Sequence, residues 1–202
     1  MARVALTFDD GPGPATPLLL DALAERGVHA TFFLLGANVE RARAVAVRIA
    51  RDGHVLGNHS FTHARPDAIA SAQFVDEIQR TDALLIDVCH DAGVVSRAPI
   101  PVRLPYGPAP NDVRLAALAS LGRTHTHWTG DFQDWSDPPP SPAELAARMR
   151  AHVARQEADG LAAVLDLHDS SRLFADRRAT AEAVRLLLAD ATIDWFTVPD
   201  PG

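Results

Sequence analysis

Two adjacent carboxylates, Asp9 and Asp10, close the apolar, partly β-branched run Arg3-Val4-Ala5-Leu6-Thr7-Phe8, and Gly11-Pro12 follows them. Such a run reads as a buried parallel strand, and α/β folds keep their chemistry at the carboxyl ends of strands. Like charges side by side cost free energy unless a metal ion or an arginine offsets them. His59-Ser60-Phe61-Thr62-His63 supplies two imidazoles at i and i+4. On a helical turn these would share one face, a spacing that fits zinc. Alone, two such histidines read as readily as solvated surface residues; with Asp9 and Asp10 as oxygen donors the metal reading prevails. One aspartate with two histidines leaves positions open for water, as a catalytic site requires. The metalloprotease pattern His-Glu-x-x-His carries its own base, but Ser60 stands in that place here. The base then comes from elsewhere, and one aspartate of the pair is the obvious donor. Non-haem iron oxygenases use the same ligand set; they usually sit on β-sandwich scaffolds, so that reading ranks low.

Other polar groups end other predicted strands. Arg103 opens Arg103-Leu104-Pro105-Tyr106-Gly107 and could grip a carboxylate through paired hydrogen bonds, although alone it reads as a surface arginine beside a proline turn. Asp131-Phe132-Gln133-Asp134-Trp135 carries two acids and an aromatic. A buried acid there could orient a histidine through its ring N–H; the plain alternative is a loop with a core tryptophan. His168-Asp169 follows the run Ala162 to Leu167, where a histidine could serve as general acid or simply belong to the core or surface. His125 and His127 read as structural, and His29, His54, His90 and His152 receive no role.

The elements that must position these groups alternate. Strands are expected at Arg3–Phe8, Ala30–Leu35, His54–Leu56, Ile100–Leu104, Arg123–Trp128, Leu161–Leu167 and Asp194–Val198. Helices are expected at Pro14–Arg26, Ala37–Arg51, Ser71–Asp91, Asn111–Leu121, from Ser141 to about Glu157, and Arg177–Ala189. Glycines at 27, 93, 122 and 160 stand just past helix ends, as C′ residues do. Ser141-Pro142-Ala143-Glu144 reads as a capping box with proline at the first helical position. Repeated β-then-α units favour a parallel sheet, open or closed into a barrel, and one domain spanning 1–202.

Composition narrows the function. The net charge of −7 argues against a nucleic-acid partner, and no apolar run is long enough to span a bilayer. All 19 basic residues are arginine. That removes Schiff-base lysines and the lysine of a P-loop. There is no Gly-x-Ser-x-Gly elbow. The single cysteine, Cys89, falls within a helical pattern and reads as core filler.

Thr-Phe-Asp-Asp-Gly, His-Ser-x-x-His, Arg-x-Pro-Tyr-Gly, Asp-x-x-Asp-Trp and a late strand ending in His-Asp occur here in order. Each is weakly specific; five in order are strongly so. The set resembles the polysaccharide deacetylase family, carbohydrate esterase family 4, over nearly the whole chain. The resemblance implies a distorted (β/α) barrel, here with about seven parallel strands. It implies that Asp10, His59 and His63 hold a divalent metal, zinc first, with cobalt or nickel as alternatives. Asp9 is similar to the family's general base and Arg103 to the arginine that pairs with it. His168 is similar to the general acid and Asp134 to its orienting partner. The Tyr106 backbone N–H would stabilise an oxyanion, and Trp135 would wall the acyl pocket.

One position departs from the pattern. The family carries a leucine two residues before the histidine, where this chain has Asp166. Strand alternation turns Asp166 the same way as His168, toward the acyl pocket. A buried charge must be met by an arginine, a polar substrate group or water; a bulge rotating it outward, or neutralisation by Arg172 or another arginine, is the alternative. The expected activity is hydrolysis of an N-acyl, first an N-acetyl, group on an amino sugar, glycan or small amine. The alternatives are an O-acetyl esterase on xylan or a similar glycan, and a catalytically silent carbohydrate-binding protein. The expected partner is an acylated carbohydrate or small N-acyl compound, with no nucleic acid and no membrane, and with the oligomeric state left open. A native start at Met1 would suit a cytoplasmic enzyme, a trimmed parent a secreted one.

Overall fold

Every neighbour of the first strand, β1 (Ala2–Asp9), is parallel to it. In the computed structural model, which describes residues 1–198, β1 pairs with β2 (Thr31–Leu34), β5 (Ala163–His168) and β6 (Ile193–Phe196). β3 (Val55–Asn58) adds to β2, and β4 (Gly130–Asp131) adds to β5. Two single bridges, Asn58 to Val102 and Val102 to His125, carry the edge of β3 round to the chain that enters β4. The sheet thus curls toward closure, as a distorted barrel does. β6 meets only the first half of β1 and β2 only the last three residues, so the two share one side of the central strand. Thr31 and Val198 bridge them through the threonine hydroxyl.

The described residues form six strands rather than about seven. The stretch expected as a strand at 100–104 keeps one ladder position, Val102, because Pro101 and Pro105 bracket it and lack N–H groups. The stretch expected at 123–128 keeps only His125, and regular pairing resumes at Gly130.

Among the described residues, seven α-helices cover the sheet: α1 (Thr16–Ala24), α2 (Gly36–Arg41), α3 (Arg43–Arg51), α4 (Ser71–Ala92), α5 (Val113–Ser120), α6 (Pro142–Ala158) and α7 (Arg178–Leu187). The single helix expected over 37–51 is split at Ala42, whose φ of −130° and ψ of 45° leave the helical region. α4 ends on Gly93 at φ 72°, and Ser141 caps α6 by accepting the Glu144 N–H. No helix among the described residues is long and apolar enough to cross a membrane.

Strand alternation sorts side chains into two populations. Val4, Leu6, Phe8, Phe32, Leu34, Leu165 and Leu167 turn outward and join Leu19, Leu20, Leu23, Ala146, Met149, Val184 and Leu187 from the helices in the main core. Each fully buried large side chain of this kind contributes about 1.5–3 kcal/mol. The alternate residues turn inward and stack in layers. Thr7, Thr31 and Asp166 are register partners in one layer, and Asp9, Phe33 and His168 in the next, nearer the carboxyl ends. Phe33 apart, these inner layers are polar where the outer face is hydrocarbon.

Candidate active site

The upper interior layer opens into a cavity of about 490 Å³. Asp9, Asp10, His59, His63, Tyr106, Trp135, Asp166 and His168 all line it. Arg103 and Asp134, expected beside them, stand behind the lining and hold Asp9 and His168 respectively.

The histidine pair sits on a bend, not the helical turn expected from its spacing. Ser60 and His63 have φ of 67° and 57°, which a right-handed helix excludes. The bend is held from α4. Glu77 accepts the N–H groups of Phe61 and Thr62, each at 3.1 Å, and the Thr62 hydroxyl at 2.6 Å. Asn58 ties the strand end to α4 by donating to Ile78 O and Asp82 Oδ1, and it accepts the Ser60 N–H at 2.8 Å. The rings of His59 and His63 then lie 5.1 Å apart.

This donor set fits a divalent cation. One ligating atom each from Asp10, His59 and His63 lie within 4.8 Å of one another. Asp10 Oδ1 is buried with no hydrogen-bond partner among the described residues, 3.2 Å from His63 Nε2 and 3.6 Å from His59 Nε2. His59 Nδ1 lies 2.9 Å from the Arg103 carbonyl. A carbonyl only accepts, so Nδ1 carries the proton and Nε2 offers its lone pair inward. Burial drives His59 well below the ordinary histidine value and His63 down to about 3, so both rings are neutral, as ligands must be. Burial also pushes Asp10 up to about 7, with the neighbouring Asp9 charge adding to the rise. An acid so placed gains from a cation.

Arg103 is fully buried beneath this cluster. Its Nη1 donates to Thr7 Oγ1 at 2.7 Å, Asp9 Oδ1 at 2.9 Å and Asp166 Oδ1 at 3.0 Å. Its guanidinium lies over the rings of Phe33 at 4.2 Å and Trp128 at 5.4 Å, a cation–π arrangement. Asp9 Oδ2 is left 3.5 Å from His59 Nε2, beside the donor set. Asp166 does face inward: β5 is regular, with no bulge, and Arg103 rather than Arg172 is its partner.

His168 is the strand partner of Asp9. Its Nδ1 lies 2.9 Å from Asp134 Oδ1, while Asp134 Oδ2 accepts the His168 backbone N–H and the Thr180 hydroxyl, each at 2.8 Å. Burial works against a charged ring, but the charge and hydrogen bond of Asp134, with Asp10 and Asp166 behind it, raise His168 well above the ordinary value.

The Tyr106 turn is fixed by Arg114, fully buried, which donates to Pro105 O and Gly107 O at 2.9 Å each and pairs with Asp112 at 2.6 Å. Tyr106 takes φ 63°, and its ring lies 4.5 Å from that of His63. Trp135 is 49% exposed and donates its indole N–H to Asp131 Oδ1 at 3.3 Å. A Cβ on Gly11 would strike the carboxylate of Asp169, so a larger residue there requires Asp169 to shift. His125 accepts the Leu104 N–H through Nδ1 at 3.1 Å and helps set the Arg103 strand end.

Several supporting residues lie beyond the expected set: Thr7, Asn58, Glu77, Arg114, Trp128, Arg177 and Thr180. A signal existed for two of them. Glu77 and Thr180 interrupt the apolar stripes of α4 and α7, between Phe74 and Ile78 and beside Ala181 and Val184. A polar residue on a buried helix face is there for a partner. Trp128 and Arg177, which line the cavity, had none in the pattern.

The polysaccharide deacetylase family profile matches residues 2–126. The chain is 37% identical over 136 residues to a chitooligosaccharide deacetylase of Sinorhizobium fredii, covering 67% of this chain and 60% of that protein. It is 30% identical over 196 residues to the peptidoglycan-N-acetylmuramic acid deacetylase PdaC of Bacillus subtilis, covering 96% of this chain but 38% of PdaC. The chain thus spans less than two thirds of the length of these curated relatives. Among solved structures, the Bc1960 peptidoglycan N-acetylglucosamine deacetylase superimposes with a TM-score of 0.80 at 28% identity, covering 98% of this chain and 86% of that one.

Proposed function

The chain belongs to the polysaccharide deacetylase family, and from that premise we propose that it is a metal-dependent hydrolase removing an N-acyl group, N-acetyl in the first instance, from an amino sugar or glycan. One observation carries the reading. A single cavity places Asp9, held by Arg103, and His168, held by Asp134, on adjacent strands beside the Asp10, His59 and His63 donor set. Asp10, His59 and His63 would hold the cation, zinc by the two-nitrogen, one-oxygen set, with cobalt or nickel as substitutes. Bound there, such an ion supplies Lewis-acid polarisation of the acyl oxygen and a lowered pKa for water.

The protein groups divide the remaining work. Asp9 takes a proton from the attacking water; Arg103 fixes the orientation of its carboxylate through Oδ1 and leaves Oδ2 toward the cavity. His168, protonated at neutral pH, gives a proton to the departing nitrogen, without which an amine leaves poorly. Asp134 fixes the His168 ring so that Nε2 carries the transferable proton. The Tyr106 backbone N–H is the protein donor for the oxyanion, a role worth on the order of 3 kcal/mol. Trp128 and Trp135 give the cavity aromatic walls, and Trp135 is open enough to meet a sugar ring.

The test is acetate release from N-acetylchitooligosaccharides and peptidoglycan fragments, with and without chelator. Chelation should abolish release, and added zinc or cobalt should restore it. Asp9→Asn should lower kcat by about 10²–10⁴-fold; full activity in that variant would remove Asp9 from the role of base.

A further inference from the structure

Asp166 is a buried carboxylate that deacylation, as described, does not use. It stands one layer below Asp9 and His168, register partner of Thr7 in β1 and of Asp131 in β4, and it lines the cavity. Oδ1 is engaged by Arg103 Nη1 at 3.0 Å. Oδ2 accepts no hydrogen bond from the described residues, and the side chain keeps 8% of its surface open. Arg103 Nη1 is shared with Thr7 and Asp9, and Arg103 Nη2, buried without a partner among the described residues, gives Asp166 no hydrogen bond. Burial and the Asp9 charge push the Asp166 acid up to about 8 against the pull of Arg103, so the free oxygen presents an unpartnered polar group, acceptor when ionised and donor when protonated, to whatever fills the space beside the catalytic pair.

The chemistry of the occupant follows. A methyl group pressed against Oδ2 would strip its water and return no hydrogen bond, which is unfavourable. A donor on the acyl α-carbon would satisfy it. An ammonium there would face the Arg103 guanidinium and the His168 ring, which Asp134 holds protonated. A neutral hydroxyl meets neither objection. We propose that Asp166 makes the acyl pocket selective for an α-hydroxyacyl group, so that N-glycolyl amino sugars are cleaved in preference to N-acetyl ones.

This rests on the deacylase reading above and deepens it. In the reaction, water forms the new C–O bond and the amide C–N bond breaks. The water proton passes to Asp9, and the His168 proton goes to the amine, giving the free amino sugar and glycolate. Asp166 transfers nothing; it shares a hydrogen bond with the glycolyl hydroxyl, which can donate or accept, and is a specificity residue.

Aspartate and leucine share one branching pattern, a Cγ bearing two δ atoms, so Asp166→Leu changes chemistry with little change of shape. Asp166→Asn keeps an acceptor of the same shape without the charge. The experiment measures kcat/KM for amine release from N-glycolyl- and N-acetylchitobiose by wild type and both variants. It also titrates the metal-free proteins with each sugar by NMR. Wild type should favour the glycolyl sugar by about tenfold, the scale of one buried hydrogen bond. Asp166→Leu should invert the preference, and Asp166→Asn should lie between. The binding titrations should rank the two sugars in the same order. A wild-type ratio at or below one overturns the proposal whether or not the leucine variant folds, and so does a ratio unchanged by Asp166→Leu. Release of acetate without a glycolyl preference sinks only this proposal. Failure to release either acyl group under any metal sinks the deacylase reading, and the titrations then decide the preference of Asp166 by themselves.

Discussion

Replacing Asp134 by asparagine tests the assignment of His168 as the general acid. The Asp134 side chain is fully buried and its Oδ1 lies 2.9 Å from His168 Nδ1, so the pair is a charge-assisted hydrogen bond out of bulk water. Asparagine is the same size, and its amide oxygen can still accept the His168 N–H and the Thr180 hydroxyl, as Oδ2 does now. What disappears is the negative charge facing the ring and the acceptor for its Nδ1–H, because the amide NH2 then stands where Oδ1 was and can only donate. A hydrogen bond to a charged group contributes about 1.5–3 kcal/mol, and each pKa unit corresponds to about 1.4 kcal/mol. The His168 pKa should therefore fall by about 1–2 units. The sign follows from its role: the acid works only while protonated, and protonation is lost as pH rises through the folded-state value. The alkaline limb of the kcat/KM profile should move to lower pH by the same 1–2 units, about, while the acidic limb stays in place. The assay is acetate release across pH with both proteins carrying the same metal, so that the charge of the ion is common to both. An alkaline limb that does not move, with the variant folded, would show that His168 is not the acid or that Asp134 does not set its protonation.

Three further outcomes are expected. Burial raises Asp10 to about 7, and its proton competes with a cation, so metal affinity should fall as pH drops below about 7; calorimetry in two buffers should show proton release on zinc binding near neutrality. Arg114→Leu leaves Asp112 without its partner and frees the Pro105 and Gly107 carbonyls. It should cost about 3–5 kcal/mol in denaturant unfolding and lower kcat/KM by loosening the Tyr106 turn. Ser141→Ala removes the cap of α6 and should cost about 1 kcal/mol, read as a Tm lower by about 2–4 °C with catalysis unchanged.

The alternation of β-like and α-like segments was legible because each element carries its own period and punctuation: Gly93 at φ 72° ends α4 where the apolar stripe stops, and Ser141 caps α6. The residues that gather at the candidate site were legible for a related reason. Asp9, Asp10, Arg103 and His168 follow apolar strand runs, and a charged group in that place has few structural uses. Local pattern failed where a conformation is imposed from elsewhere. The His59–His63 bend looks helical by spacing, yet Glu77, on a different element, holds its N–H groups and makes it a loop. Ala42 breaks a helix that its own sequence does not mark.

The sequence by itself determined which side chains the protein owns, on which strand ends they sit, and that Asp166 turns the same way as His168, since a strand alternates with a period of two. The resemblance already paired Arg103 with Asp9 and Asp134 with His168; only the tertiary structure decided that Arg103 also meets Asp166 and Thr7. One guanidinium nitrogen of Arg103 is divided among Thr7, Asp9 and Asp166, side chains from two other strands. Asp134 reaches His168 across 34 residues of chain. Such pairings depend on strand register and barrel closure, which are set by the packing of the whole outer core and leave no trace in the spacing of the residues they bring together.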